Sequence, residues 1–304
     1  MKDINEIIES LDYRREPRGL YEPIGYALSA GGKRVRPRLA LLGAQVFGGD
    51  EQLVLPAALA LEVFHNFTLL HDDVMDKAVV RRGRPTVHVK WDENTAILSG
   101  DQMLIEAYKL LSEVREDKLA GVLRMFNKMA TEICEGQQYD VDFEKREDVS
   151  IAEYMEMIRL KTSVLLATAL QIGAYIAGAD EEGQRALYEY GINLGLAFQI
   201  QDDLLDCFGD PATFGKAIGG DIREGKKTFM WLTARAKAGA GWSTQGKELA
   251  EVLREYEQLG VRKAAEEEIQ RLTARALEKL ETVPQNGAVA ELRSLAAKLA
   301  GRTR

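Results

Sequence analysis

Apolar residues recur at intervals of three and four along nearly the whole chain. One such series is Leu187, Tyr190, Leu194, Phe198 and Leu205, and no stretch alternates with the period of two that a half-buried strand requires. The pattern therefore predicts an all-α protein. All seven prolines fall near predicted helix starts or in connections, where a missing N–H costs little. The predicted helices are residues 3–13, 18–29, 35–47, 53–76, 92–113, 116–138, 151–178, 181–207, 222–237, 243–258, 261–281 and 286–301.

Length and charge narrow the choice of architecture and function. The chain has 304 residues and no Pro-, Gly- or Ser-rich linker, so residues 1–304 are expected to form a single domain, a bundle of about 12 helices. The net charge of -8 and the isoelectric point near 5.2 argue against nucleic-acid binding, which normally uses a basic face.

The compartment is predicted from the cysteines and the apolar stretches. Cys134 and Cys207 have neither a disulfide framework nor a metal-binding spacing, so both are expected in the core of a protein from the reducing cytoplasm. The N-terminus has no basic-then-apolar signal pattern. The longest apolar stretch, 163–179, is interrupted by Thr168 and Gln171 and is shorter than the roughly 20 residues of a bilayer span. No transmembrane segment is therefore expected.

Two copies of the motif Asp-Asp-x-x-Asp follow apolar helical stretches. They are Asp72-Asp73-x-x-Asp76 and Asp202-Asp203-x-x-Asp206. The first and last aspartates of each motif, at positions i and i+4, share one face of a helix and lie roughly 6 Å apart. Such a face suits Mg2+, which usually takes one or two carboxylates together with substrate phosphates. Because negative charge near a helix C-terminus opposes the helix dipole, a bound cation explains the motifs better than a solvated acidic face.

Basic residues cluster at four places in this acidic chain. The clusters are Gly31–Arg38, Arg81-Arg82-Gly83, Lys161-Thr162, and Lys216 with Lys226 and Lys227. The first combines glycines, a helix start and Arg forks, all of which suit phosphate oxygens. The third lies in the most apolar predicted helix, where an ammonium is costly without a partner, so a buried anionic ligand explains Lys161 better than a surface charge. Each cluster alone could be a solvated basic face, but together they suit two diphosphate substrates and hence a transfer reaction.

In combination and order, these motifs resemble those of the trans-type (head-to-tail) isoprenyl diphosphate synthases, the polyprenyl synthetase family. The resemblance runs from about Gly31 to Thr233 and includes His65 and Gln199. It implies an all-α fold around a central cavity, usually as a homodimer. It also implies Mg2+-dependent condensation of isopentenyl diphosphate with dimethylallyl, geranyl or farnesyl diphosphate by ionisation, 1'-4 condensation and proton loss.

The resemblance implies a role for each matching position. The implied Mg2+ ligands, for three ions with the allylic diphosphate bound, are Asp72, Asp76 and Asp202, with Asp73, Asp203 and Asp206 beside them. The residues implied to bind the diphosphate of isopentenyl diphosphate are Lys33, Arg36, His65 and Arg82. Those implied to bind the allylic substrate are Arg81, Lys161, Lys216 and Lys226 at its diphosphate, and Thr162 and Gln199 beside the reacting carbons.

Product length in this family depends on the residues four and five positions before the first Asp-rich motif, here Thr68 and Phe67. Helical phase favours Thr68 as the residue below Asp72, whereas the family pattern stresses Phe67. A bulky ring at this floor predicts a short C15 or C20 product, with a longer-chain synthase as the alternative. A class I terpene cyclase and a non-catalytic partner subunit are weaker hypotheses, because the former needs no second diphosphate and the latter predicts eroded metal motifs.

Overall fold

The computed structural model describes residues 4–209 and 218–300, and most of them are helical, which confirms the predicted all-α class. The helices up to the first Asp-rich motif are α1 (Ile4–Glu9), α2 (Arg18–Leu28), α3 (Val35–Val46) and α4 (Glu51–Met75). The next are α5 (Val87–Lys90), α6 (Glu93–Leu111), α7 (Glu116–Glu144), α8 (Ile151–Ile158), α9 (Val164–Ile176) and α10 (Glu181–Phe208). The last described helices are α11 (Gly220–Glu224), α12 (Phe229–Ala238), α13 (Leu249–Gln258), α14 (Val261–Lys279) and α15 (Gly287–Ala300).

Most predicted helices agree with the observed ones within a few residues. The helix predicted over 243–258 begins only at Leu249, the helix predicted over 116–138 continues to Glu144, and the short α5 was not predicted. Two further features differ. The single predicted helix 222–237 is wrong, because α11 ends at Glu224, followed by Gly225 with a left-handed φ of 69°, and α12 begins only after Thr228. The sequence pattern also contains no sign of an antiparallel pair, β1 (Val80–Arg81) and β2 (Arg84–Pro85). Strands of two residues are too short to produce an alternating pattern.

The backbone contacts divide the chain into two compact units. Within the described residues, unit 1 contains 4–125 and 169–180, and unit 2 contains 126–168, 181–209 and 218–300. The first Asp-rich motif therefore belongs to unit 1 and the second to unit 2. The single domain expected over residues 1–304 and its central cavity stay predictions.

Helix α4 forms the centre of unit 1, where it packs against α3 and α6. Its middle is buried because alanines and aliphatic residues from Val54 to Phe64 fill the core. Gly100 of α6 lies against the ring of His71, and a Cβ at this glycine would stand 2.6 Å from the Cδ2 atom of that ring. This close approach fixes the end of α4, and with it the first motif, against α6.

By length and composition alone, helix α4 is long and apolar enough to cross a membrane. Within the protein, however, 67% of its most apolar window is buried. A core helix has the same length, composition and burial, so these properties are weak evidence for a membrane span.

Helix α10 forms the centre of unit 2, where it packs along α14. A π-helical turn, Arg159–Ser163, separates α8 from α9 and contacts α10. Gly195 of α10 permits this contact, because a Cβ there would lie 2.6 Å from the Cα atom of Ser163. Gly136 of α7 permits a second one, since its Cβ would lie 2.8 Å from the carbonyl carbon of Leu160. Two glycines thus let two helices approach the π turn closely.

The two cysteines have different environments. Cys207 is buried, as expected, but Cys134 is exposed, so its predicted core position is wrong. The reason is helical phase: α7 buries Phe126, Met129 and Ile133 along one face, and the next residue after Ile133 points away from it.

Candidate functional site

The first Asp-rich motif occupies the C-terminal end of α4, with Asp72 in the last turn and Asp76 at the C-cap. The backbone N–H of Asp76 donates to the carbonyl of Asp72 at 2.8 Å, so helical geometry continues through the motif. Asp72 is half-buried and Asp76 is exposed, whereas Asp73 is buried. The outer two carboxylates therefore share one accessible face, as their spacing predicts.

The middle carboxylate of this motif has a protein partner. Nε of Arg81, in β1, donates to Oδ1 of Asp73 at 2.7 Å. Burial raises the pKa of Asp73 above its usual value, although the Arg81 charge opposes the rise. The ion pair holds the Arg81 side chain beside the first motif.

The hairpin turn fixes the next arginine. Arg82 and Gly83 both have positive φ, 52° and 73°, as the central residues of a type I′ turn do. Nη1 of Arg82 donates to the carbonyl of Gly31, and the guanidinium lies over Gly32, whose Cβ would stand 3.0 Å from its Cζ atom. The glycines of the first basic cluster thus leave room for a cation from the hairpin.

A buried ion pair lies beneath this cluster, and the sequence pattern does not reveal it. Nη1 of Arg34 donates to Oε1 of Glu62 at 2.7 Å, and Nδ2 of Asn66 donates to the same oxygen at 3.1 Å. The two charged partners lie 28 residues apart in the sequence, which is why local spacing gives no signal. The pair ties the start of α3, and with it Arg36, to the core helix α4.

Positive charge is crowded around Arg36, His65 and Arg82. Burial lowers the pKa of Arg36 to about 10, with Glu62 opposing the fall and Arg82 adding to it. Burial, followed by the charges of Arg36 and Arg82, holds the pKa of His65 well below its usual value. Among the described residues, Nε of Arg36 is a buried donor with no hydrogen-bond partner. A bound anion would supply an acceptor and relieve the repulsion.

Phe67 and Thr68 face different neighbours on α4. The Phe67 ring packs between the rings of Phe64 and His71, with centroid separations of 5.4 and 4.8 Å. The Thr68 hydroxyl donates to the carbonyl of His65 at 2.8 Å, within its own helix. Phe67 therefore belongs to an aromatic row, while Thr68 lies one turn before the first aspartate of the motif.

In the second motif the middle carboxylate is again buried and bonded. Oδ2 of Asp203 accepts hydrogen bonds from the Tyr154 hydroxyl and from the backbone N–H of Phe229, the latter at 3.2 Å. Oδ1 accepts from Nε2 of Gln199 at 3.3 Å. Burial, and after it the charge of Asp221, raises the pKa of Asp203 to about 8. Tyr154 and Phe229 lie 49 and 26 residues from Asp203, so sequence spacing could not identify them.

The last aspartate of the second motif is hydrogen-bonded to the start of α11. Both carboxylate oxygens of Asp206 accept backbone N–H groups, from Gly220 and Asp221, each at 3.1 Å. Asp221 is a further carboxylate that the motif pattern does not include; burial, and after it Asp206, raises its pKa to about 6. Asp202 is half-buried and also acts on Asp221. This concentration of negative charge would be relieved by a bound cation.

Lys161 and Thr162 lie in the π turn, a helix distortion that is frequent at functional sites. Nζ of Lys161 donates to Oδ2 of Asp140 on α7. The ammonium thus has a protein partner, and an anionic ligand is no longer required to explain its position. Oγ1 of Thr162 donates to Oε1 of Gln199 at 3.2 Å, which extends the hydrogen-bonded chain that reaches Asp203.

The remaining lysines predicted to bind substrate differ in exposure and in their partners. Lys33 is exposed, and Lys226 is half-buried and pairs with Glu224 at 2.9 Å. Lys216 lies outside the described residues.

The carboxylate oxygens of the two motifs are suitable ligands for Mg2+, although they do not form a complete set of ligands by themselves. In residues 4–209 and 218–300, no group of three or more His, Cys, Asp or Glu side chains is arranged to hold a metal ion. Mg2+ does not require such a group, because water and phosphate oxygens usually complete its coordination shell.

Unit 1 also contains a surface cavity of about 780 Å³ that is not lined by the first Asp-rich motif. Its lining residues lie between Glu9 and Gly25.

Known proteins resemble this chain in both sequence and fold. A family model described as Polyprenyl synthetase matches residues 17–269. The geranylgeranyl diphosphate synthase of Methanosarcina mazei is 44% identical over 236 residues, 77% of this chain and 73% of that protein. The geranylfarnesyl diphosphate synthase of Aeropyrum pernix is 42% identical over 221 residues, 70% of each chain. The crystal structure of the geranylgeranyl pyrophosphate synthetase from Pyrococcus horikoshii has a TM-score of 0.93 at 36% identity, covering 98% of this chain and 94% of that one.

Proposed function

Since this chain belongs to the polyprenyl synthetase family, we propose that it joins isopentenyl diphosphate to an allylic diphosphate and releases an all-trans prenyl diphosphate. The observation that carries the proposal is the pair of intact Asp-rich motifs, each near the end of a core helix with cationic side chains in the same unit. The family is generally Mg2+-dependent. A cytoplasmic location is part of the proposal and fits the two free thiols.

Isopentenyl diphosphate is assigned to the cationic cluster of unit 1, through Lys33, Arg36, His65 and Arg82. The unsatisfied Nε donor of Arg36 supports this assignment, since a phosphate oxygen would accept its hydrogen bond. Burial and the charges of Arg36 and Arg82 hold the pKa of His65 low, and a bound diphosphate would oppose that effect while accepting a hydrogen bond from the ring.

The allylic substrate is assigned to two sets of side chains, one at its diphosphate and one beside its reacting carbons. Its diphosphate would meet Arg81, Lys161, Lys216 and Lys226. Asp72, Asp76 and Asp202 are the proposed Mg2+ ligands, for three ions with this substrate bound, and the metal would neutralise the charge that develops as the allylic C–O bond breaks. Thr162 and Gln199 would keep oxygen atoms beside the carbocation without attacking it. The double bond of isopentenyl diphosphate then attacks C1 of the cation, and transfer of a proton to the released diphosphate completes the 1'-4 condensation.

A product assay tests the proposal. The purified protein is incubated with Mg2+, isopentenyl diphosphate and, in separate reactions, dimethylallyl, geranyl or farnesyl diphosphate. Dephosphorylated products are identified by mass spectrometry. Elongation that ends at C20 is expected, in keeping with the name of the Methanosarcina mazei relative. Failure to elongate any primer would overturn the proposal and favour a terpene cyclase or a partner subunit.

Phe67→Ala is expected to lengthen the product by at least one isoprene unit. The substitution removes the ring that packs between Phe64 and His71 and opens space along α4. A Phe→Ala change in a full core costs about 3–5 kcal/mol, and the cost should be smaller here because Phe67 is half-buried. Product lengths are read with the same mass-spectrometric assay.

Thr68→Ala is the matched control for this change, because it truncates the neighbouring residue on the same helix and leaves the aromatic row intact. Its product distribution is expected to equal that of the wild type. If Thr68→Ala lengthens the product and Phe67→Ala does not, the floor is set by the helical phase of Asp72 and the assignment to Phe67 is wrong.

We also propose that the protein is a homodimer that uses an apolar face of α6. Ile97, Leu98, Ile105 and Tyr108 lie on this face and are 43%, 59%, 52% and 39% exposed. Large apolar residues exposed in a row at helical spacing are typical of a protein interface. Ile105→Asp is expected to give a monomer in light scattering, whereas Leu53→Asp, at an exposed site on α4, should not. An unchanged mass for Ile105→Asp would exclude this face.

A further inference from the structure

We propose that Tyr154 is a positioning residue for the second Asp-rich motif. Its buried hydroxyl holds Asp203, so that Gln199 and Asp202 on the same helix present their side chains to the allylic diphosphate. The inference rests on the function proposed above and assigns a task to a residue that lies outside the Asp-rich and basic motifs.

The contacts of Asp203 show why a positioning residue is needed. Asp203 is 4% exposed, and its carboxylate accepts from three protein donors, the Tyr154 hydroxyl, the Phe229 N–H and the Gln199 amide. Tyr154 is itself 2% exposed, so its hydroxyl is buried together with Asp203. The Asp203 carboxylate is therefore occupied by hydrogen bonds within the protein, whereas the half-buried Asp202 remains accessible to a ligand.

Asp203 also joins three segments that carry groups assigned to the allylic substrate. Tyr154 belongs to α8, which continues directly into the π turn with Lys161. Phe229 is the first residue of α12 and follows closely after Lys226. Both segments are hydrogen-bonded to this carboxylate of α10, so losing the Tyr154 bond should displace the allylic half of the site. The groups assigned to isopentenyl diphosphate all belong to unit 1.

Tyr154→Phe tests the inference because it keeps the ring and removes one oxygen. Binding of an allylic thiolodiphosphate, which ionises very slowly, is measured by calorimetry with Mg2+ present. Affinity is expected to fall by about 10- to 100-fold, the usual effect of removing a group that orients a metal-binding side chain. The kcat should fall as well, whereas the affinity and KM for isopentenyl diphosphate should be unchanged.

Tyr190→Phe is the matched control. Tyr190 is also buried in unit 2, and its hydroxyl donates to the carbonyl of Leu292 at 2.8 Å, so the variant loses one buried tyrosine hydrogen bond without touching Asp203. Wild-type affinity for both ligands is expected. Equal behaviour of Tyr154→Phe and Tyr190→Phe toward the two ligands would overturn the inference.

A double-variant cycle separates this role from general stability. If Tyr154 acts through Asp203, then Tyr154→Phe combined with Asp203→Asn should bind the thiolodiphosphate no more weakly than Asp203→Asn alone. Additive losses would overturn the inference. Should Tyr154→Phe fail to fold, Asp203→Asn alone must still weaken the thiolodiphosphate and spare isopentenyl diphosphate, and any other result overturns the inference. A wild-type protein without prenyl products would refute the proposed function itself.

Discussion

Asp72→Asn is expected to lower kcat/KM for the allylic substrate by at least about 10³-fold. Asp72 and Asp76 share the accessible face at the end of α4, and the substitution removes the negative charge of one proposed Mg2+ ligand. Losing about 4 kcal/mol of stabilisation in the transition state corresponds to this factor. The rate is measured with saturating isopentenyl diphosphate over a range of Mg2+ concentrations.

The fold of this variant should remain intact. A negative charge near a helix C-terminus is unfavourable, so Asp72→Asn should melt at the wild-type temperature or slightly above it. Asp117→Asn is the control, because Asp117 is an exposed residue of unit 1 that pairs with Arg115 at the surface, where such pairs are worth about 0–1 kcal/mol. If both variants retain wild-type turnover, the first motif does not hold a catalytic metal.

Periodicity predicted the long helices well and the short features poorly. The helix predicted over 181–207 is observed as α10, because an unbroken apolar face over many turns allows few alternatives. The predicted helix 222–237 failed at Gly225, since a glycine within a helical pattern can continue the helix or end it, and only its left-handed φ decides. In the π turn at Arg159–Ser163 the backbone hydrogen bonds join residues five apart instead of four, and amino-acid composition does not indicate this change.

The candidate site was predictable where its chemistry is local in sequence. Both Asp-rich motifs lie on helix faces as their spacing requires. Partners from distant helices were not predictable, because spacing within a segment carries no information about them. Lys161 illustrates the limit: its apolar surroundings predicted a buried anionic ligand, but the anionic partner in the structure is the protein residue Asp140, 21 residues earlier on α7. Tyr154 was missed for the same reason.

Gly136→Ala is expected to lower kcat by about 100-fold and to destabilise the protein by about 1–3 kcal/mol. The added methyl group would stand 2.8 Å from the carbonyl carbon of Leu160 and nearer still to the backbone nitrogen of Lys161, and backbone atoms cannot rotate aside. Asp140 lies one turn further along α7 on the same face and pairs with Lys161. Moving α7 away from the π turn by about 1 Å would therefore displace Lys161, and such a misplacement can cost about 100-fold in rate.

Gly287→Ala separates this effect from the general cost of an added methyl group. Gly287 begins α15 in the same unit, and a Cβ there would meet no atom within 4 Å. Alanine should leave turnover unchanged and raise the melting temperature slightly, because glycine loses more backbone freedom on folding. The comparison is made by steady-state kinetics and thermal denaturation of both variants. Wild-type turnover of Gly136→Ala would mean that close packing of α7 against the π turn does not set the position of Lys161, and that the allylic diphosphate is held by other groups.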